Sequence, residues 1–370
     1  MTETAETRKR GQSALEVPYP SKVRLPVRRP AIVRRERLIE ALSRARERRI
    51  ALVSAPAGYG KTTLLLDFAQ AAREPVCWYA LDERDRDART FLRYLMASTR
   101  EQYPEFASEL AAELTSGNAI IADRAVELLI AAMQSGPPLT FVLDDFHYLD
   151  EAEPELTQII EGWLYRLPPD CHVILSGRTQ PQLGILPLMS VRQEVDTIGA
   201  TDFSFTCEEV VHLFRDVLQR DVSLDDAQHL ANVSEGWAGA LVLLAERVQM
   251  SRTAISLEHL RGSDTLFQYV KLEQFDPLAN DLKEFLTGSA VPRWLDEQFL
   301  DELLDVTDAE ARLNQLRRLN LFVLTEEANG RRTRYHRLFR AFLVSHLRSQ
   351  QPERFRELNI RGAELMEKAE

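Results

Sequence analysis

The chain has 370 residues, 45% hydrophobic and 28% charged, with a formal net charge of −11. That balance is ordinary for a globular protein, and the length calls for two or three cores rather than one. No apolar run approaches the ~18–20 residues of a membrane-spanning helix, the segment after Met1 is too polar for a secretion signal, and three scattered cysteines (Cys77, Cys171, Cys207) without metal-ligand spacing point to reduced thiols and a cytoplasmic location.

The charge is uneven along the chain. Residues 1–50 carry fourteen Lys or Arg against six acids, so this front end is net +8 and the remainder net −19. A basic arm of this kind touches nucleotide phosphates or nucleic acid, or is simply a solvated tail followed by an Arg-rich helix face. The acidic body argues against electrostatic gripping of DNA. Pro26 and Pro30 keep residues 21–30 extended, and a charged helix is expected from Arg35 to Arg48, with Leu38, Ile39 and Leu42 on its apolar side.

An apolar run, Ile50–Val53, then leads into Ala55-Pro56-Ala57-Gly58-Tyr59-Gly60-Lys61-Thr62 and a helical pattern from Thr63 to Ala69. Strand, Gly-containing turn and helix N-terminus are the parts of a phosphate-binding loop. Backbone N–H groups point at the phosphates, Lys61 supplies a cation and the Thr62 hydroxyl is a Mg²⁺ ligand. The position usually held by the first Gly of this motif is Ala55, a sterically mild replacement.

Further strands are expected at Val76–Ala80, Thr140–Asp144 and His172–Ser176, with a weaker one at Val191–Ile198, separated by segments of helical period. Such alternation with continuously apolar strands means an α/β fold, a parallel sheet with helices on both faces. Leu139–Leu143 ends in Asp144-Asp145, a strand delivering two carboxylates to its C-terminal edge. Asp144 is placed to hold Mg²⁺ and Asp145 to orient the attacking water. The next strand ends in Ser176-Gly177-Arg178, where Arg178 either reaches a γ-phosphate or makes a surface salt bridge.

Beyond residue 200 helices dominate. Thr206 and Glu209 form a capping box opening a helix through Phe214, and further helices are expected near 225–231 and 238–248. Three helical segments after residue 278 lead to a hairpin, Leu321–Leu324 and Thr333–Tyr335 around Asn329-Gly330, which is the order of a winged helix. His336 follows, opening an amphipathic helix, and by itself reads as a core or capping histidine. The resulting division is a basic arm at 1–30, a nucleotide-binding domain at 31–200, a helical domain at 201–275, a winged helix at 276–348 and a helical linker at 349–370.

This order of parts resembles a known family, the STAND-class ATPases in their MalT-type branch, the regulatory core of large LuxR-family transcription activators. The resemblance rests on Pro26–Arg29 with Val33–Leu38, Ser54–Thr63, Trp78–Glu83, Leu143–His147, Leu175–Arg178, Gln182–Gly184, Phe205-Thr206, Glu235–Ala240 and Tyr335–Phe339, and spans roughly residues 20–350. It implies a switch that holds ADP when off and ATP when on, self-associates in the ATP state, and resets by slow hydrolysis. It further implies that Gly58, Tyr59, Gly60, Lys61, Thr62 and Thr63 bind the phosphates. Thr62 and Asp144 would serve Mg²⁺, and Asp145 the attacking water. Arg178 would sense the γ-phosphate, Arg29 and Arg35 bracket the adenine, and His336 approach the ADP β-phosphate from a winged helix that clamps nucleotide instead of reading DNA. Inducer and DNA would be bound by domains outside these 370 residues, and Glu370, inside a helical pattern, suggests a piece of a longer regulator. Two other readings of the phosphate loop are a continuously turning-over AAA-like remodelling ATPase and a small-molecule kinase.

Overall fold

The computed structural model describes residues 17–28, 33–45, 47–72, 74–217, 219, 221–243, 264–326 and 332–369. The chain divides into two compact units, one of residues 1–30, 34–55 and 61–202, the other of residues 31–33, 56–60 and 203–370.

The first unit is built on a five-stranded sheet of β1 (Ile50–Ser54), β2 (Val76–Ala80), β3 (Thr140–Asp144), β4 (His172–Gly177) and β5 (Val195–Ile198), in the order β2-β3-β4-β1-β5. Every neighbouring pair is parallel. All five residues of β1 and of β3 are buried, which requires cover on both faces and explains why these strands read as unbroken apolar runs. The helices Lys61–Ala71, Ala88–Arg100, Ala122–Gln134 and Pro154–Tyr165 connect the strands. The expected charged helix is observed at Glu36–Ala45. At the edge, the strand expected from Val191 begins only at Val195, because Leu186–Val191 is helical and Gln193 turns the chain at φ 58°.

The basic front end is partly consumed in packing. Lys22 lies over the rings of Tyr94 and Tyr79 and ion-pairs with Asp85, which has no exposed surface. Asp85 in turn completes a capping box with Asp82 around the 3-10 turn Glu83–Arg86. Arg28 pairs with Asp67, buried on the helix that follows the phosphate loop.

The second unit is largely helical. Thr206 and Glu209 form the expected capping box of Cys207–His212, which continues as a π-turn, Leu213–Val217. Ser223 caps Leu224–Ser234. The helix expected at 238–248 is described only as far as residue 243. Asn280–Ser289, Glu297–Leu304 and Ala309–Arg318 precede an antiparallel hairpin of β6 (Val323–Glu326) and β7 (Arg332–Tyr335), with Val323 opposite Tyr335. The Asn329-Gly330 turn lies outside the described residues. Helices Arg337–Gln350 and Pro352–Ala369 complete the chain. No helix among the described residues is long and apolar enough to cross a membrane.

Candidate active site

In the first unit the chemistry gathers at the carboxyl edge of the sheet, where ligands bind in open α/β folds. Lys61 is the first residue of its helix. It is 7% exposed, and its ammonium donates to the Ala55 carbonyl at 2.7 Å. Burial lowers the Lys61 pKa to about 8 against the upward pull of Asp144 and Asp145, with Arg178 adding to the lowering. The exposed Thr62 hydroxyl donates to Asp144 Oδ2 at 2.7 Å, while Asp144 Oδ1 accepts from the Ser176 hydroxyl at 2.8 Å and the Asp145 N–H at 3.1 Å. Ser176 is fully buried one strand away and stands opposite Val53 of β1. Asp144 is thereby fixed on one oxygen by the fold and turns the other toward Thr62.

Residues after these strand ends are bent to keep the edge open. Asp145 sits at φ 60° and starts the 3-10 turn Phe146–Leu149. Gly177 continues β4 one residue past Ser176, and its carbonyl accepts from the Ala55 N–H at 3.4 Å. A Cβ on Gly177 would stand 3.3 Å from the His147 backbone nitrogen, so the glycine lets this turn lie against β4. Arg178 follows directly and faces the electrostatic field of Lys61 and His147.

The Thr62 and Asp144 oxygens are hard donors already in contact, a pair that suits Mg²⁺, which takes few protein oxygens and completes its shell with water and phosphate. Among the described residues no group of three acidic, His or Cys side chains forms a metal cage, and Mg²⁺ in a nucleotide site does not need one.

Loop residues 56–60 belong by contact to the second unit. Gly58 and Gly60 take φ values of 78° and 89°, the left-handed region that favours glycine. The Ala57 carbonyl accepts from Trp237 Nε1 at 3.3 Å, and the Gly58 carbonyl from the Gly239 N–H at 2.9 Å. Tyr59 is buried, 6.5 Å from Trp237 and 5.9 Å from Phe322 between ring centroids. Its phenol is pushed up by burial, seconded by Glu235.

His336 caps the helix Arg337–Gln350. Its Nδ1 accepts from the Leu338 N–H at 3.2 Å, so that nitrogen carries no proton, and Nε2 donates to the Ser234 carbonyl at 3.0 Å. Burial holds the ring uncharged, its pKa lowered to about 4 although Glu235 pulls the other way. Glu235, at φ 48°, collects Arg334 at 2.8 Å, the Arg337 backbone N–H at 2.8 Å and the Arg337 side chain at 3.3 Å. In this arrangement the protein engages both imidazole nitrogens.

Two family models match the chain, an AAA ATPase domain over residues 24–160 and a MalT winged helix domain over residues 272–355. The HTH-type transcriptional regulator MalT of Cronobacter sakazakii is 31% identical over 330 residues, covering 88% of this chain and 36% of that protein. Its counterpart from Klebsiella pneumoniae is 30% identical with the same coverage. The chain thus carries an AAA-type ATPase domain and a MalT-type winged helix domain, and it is similar to the MalT regulators over most of its length. It spans about a third of the length of the curated relatives it matches. The Walker-type ATPase of Pyrococcus abyssi superposes with a TM-score of 0.59 at 15% identity, over 90% of this chain and 99% of that one, a likeness of fold.

In the first unit, then, Lys61, Thr62, Asp144, Asp145 and Arg178 share one edge of the sheet. Thr63 lies in the next position of the same helix, and Arg35 is buried just before the helix Glu36–Ala45. Arg29 lies outside the described residues. Sequence reasoning missed Ser176 as the residue that fixes Asp144. Its signal was a lone polar residue ending an apolar strand. Trp237 was seen only as part of a family motif, and nothing in the sequence announces that its indole holds the Ala57 carbonyl.

Proposed function

We propose that this chain is a nucleotide-gated switch, the ATPase core of a transcription regulator that holds ADP in its off state, exchanges it for ATP when activated, and resets by slow hydrolysis. The observation that carries the reading is the set Thr62–Asp144–Ser176 beside Lys61, a hydroxyl and a carboxylate pre-paired for Mg²⁺ within reach of a phosphate-binding cation. The division of labour follows from chemistry. Backbone N–H groups of the Gly58–Gly60 turn and the Lys61 ammonium neutralise phosphate charge. Thr62 and Asp144 hold the metal, which when bound draws charge from the phosphate oxygens. Asp145 orients water and Arg178 reads the third phosphate. The regulatory role rests on relatives named as transcriptional regulators, and self-association, inducer and DNA belong to this proposal and not to the ATPase edge.

Heat-denaturing the purified chain and chromatographing the released nucleotide tests the switch. ADP in near-stoichiometric amount is expected, with turnover well below the ~10 s⁻¹ of a median enzyme. Rapid hydrolysis without any inducer would instead support a remodelling ATPase. Lys61→Ala should release no nucleotide.

A further inference from the structure

The ATPase edge uses one end of the sheet, and an apolar cavity of about 580 Å³ opens at the other. It lies beside the first residues of β2 and β3. The Gln102 side chain donates to the Val76 carbonyl at 3.3 Å, and Pro137 stands just before Thr140. Strands of this length keep the two ends of the sheet ~16 Å apart, so the cavity is no part of the nucleotide edge.

One wall is the segment after the helix Ala88–Arg100. Arg100 Nε donates to the Phe106 carbonyl at 2.8 Å, and Ala107, at φ 51°, turns the chain into the helix Ser108–Thr115. The facing wall is the end of the helix Ala122–Gln134, where Ala131 and Ala132 are too short to fill the space.

Volume and lining suit a small organic molecule, since ligand pockets measure ~300–1,000 Å³ and are mostly apolar. Tyr103, Phe106, Leu128, Ala132 and Pro137 supply apolar surface. The charged groups of the lining are Glu105 and Glu109, both exposed, and among the described residues it holds no Lys, Arg or His. Arg100, behind the wall, offsets Glu105, and Glu101 pairs with Arg24 at 3.5 Å. The Ser108 and Ser135 hydroxyls donate to the Glu105 and Ala131 carbonyls, each at 2.8 Å. An anion would meet two carboxylates, no lining cation and no free serine donor. A cation would meet the same two carboxylates and the aromatic ring of Tyr103.

We propose that this cavity binds a small organic cation, its ammonium or amidinium head held by Glu105 and Glu109 and its apolar body between Phe106 and Ala132. The site is separate from the nucleotide edge, and its occupant ties residues 102–109 to the helix Ala122–Gln134.

Calorimetric titration of the 370-residue chain with benzyltrimethylammonium and with benzylsulfonate, alike in shape and opposite in charge, tests the assignment. The cation is expected to bind with a Kd of ~0.1–1 mM and the anion at least about 10-fold more weakly. Ala132→Phe, which fills the space from a half-buried helix position, is expected to weaken the cation more than about 10-fold. Glu105→Gln combined with Glu109→Gln is expected to weaken it roughly 3- to 10-fold. These two positions are exposed, so the glutamine variant decides the matter if circular dichroism shows Ala132→Phe unfolded. Binding of neither probe, equal binding of both, or cation binding unmoved by the glutamine substitutions would overturn the assignment. Capture of a basic peptide by a chain that ignores the small cation would overturn it too, giving this surface to a protein partner.

Discussion

Asp144 illustrates how one side chain is made to serve a metal. Its Oδ1 is spent on Ser176 and the Asp145 N–H, which leaves Oδ2 and Thr62 to be displaced toward a cation when one arrives. The cost of removing either partner differs. Ser176→Ala would free the carboxylate to rotate, whereas Thr62→Ala would remove a ligand. His336 makes the opposite case, a functional group wholly committed to structure in the arrangement observed. Its folded pKa of about 4 lies below the ordinary imidazole value of 6.5, so between those limits the unfolded chain binds more protons and stability rises with pH. Lowering the pH from 6.5 toward 4 should therefore destabilise the protein by up to ~1.4 kcal/mol per pH unit through this residue. His147 titrates in the same window and adds to the effect. His336→Asn, which can still cap a helix, should flatten the pH dependence of the urea midpoint while lowering stability at pH 7 by ~1–2 kcal/mol. A midpoint curve with wild-type slope would show that another group governs it.

At the level of elements, the N-terminal strap carries more than charge. Lys22 neutralises Asp85, whose carboxylate is sealed beneath the turn that follows β2. Lys22→Met should therefore leave a buried, unpaired acid and lower the unfolding free energy by roughly 3–5 kcal/mol in denaturant titration. Removing residues 1–16, which precede the described strap, should leave that titration unchanged. The same scale shows what the sequence made legible. The inner strands were readable because burial on both faces leaves an unbroken apolar run, as in Ile50–Val53 and Phe141–Leu143. The Thr206 box was readable because both capping residues are local. The edge strand β5 was overextended, since polar Asp196 and Thr197 give no signal of where pairing starts. The π-turn Leu213–Val217 has no sequence signature at all, being a product of packing.

Over the whole molecule, the order of motifs was readable from short stretches of sequence, while the assignment of loop residues 56–60 to the second unit was not. That grouping comes from the Ala57 carbonyl and the Tyr59 ring meeting Trp237 and the Gly58 carbonyl meeting the Gly239 N–H, 178 or more positions later, a separation no local pattern encodes. Nucleotide should act on the folded chain as a ligand of the native state. ADP at a hundred times its Kd, with Mg²⁺, is expected to add ~2.7 kcal/mol of stability, a rise of several degrees in Tm. Lys61→Ala should show no such rise in thermal unfolding, and an equal rise in that variant would place the nucleotide elsewhere. The strand order has a further consequence. Because β4 lies between β1 and β3, the strand leading to Lys61 and the strand ending in Asp144 are kept two inter-strand spacings apart, close to 10 Å. Backbone hydrogen bonding alone sets that gauge, so substitutions along the rim can retune rate or affinity without altering the span between the phosphate anchor and the acid.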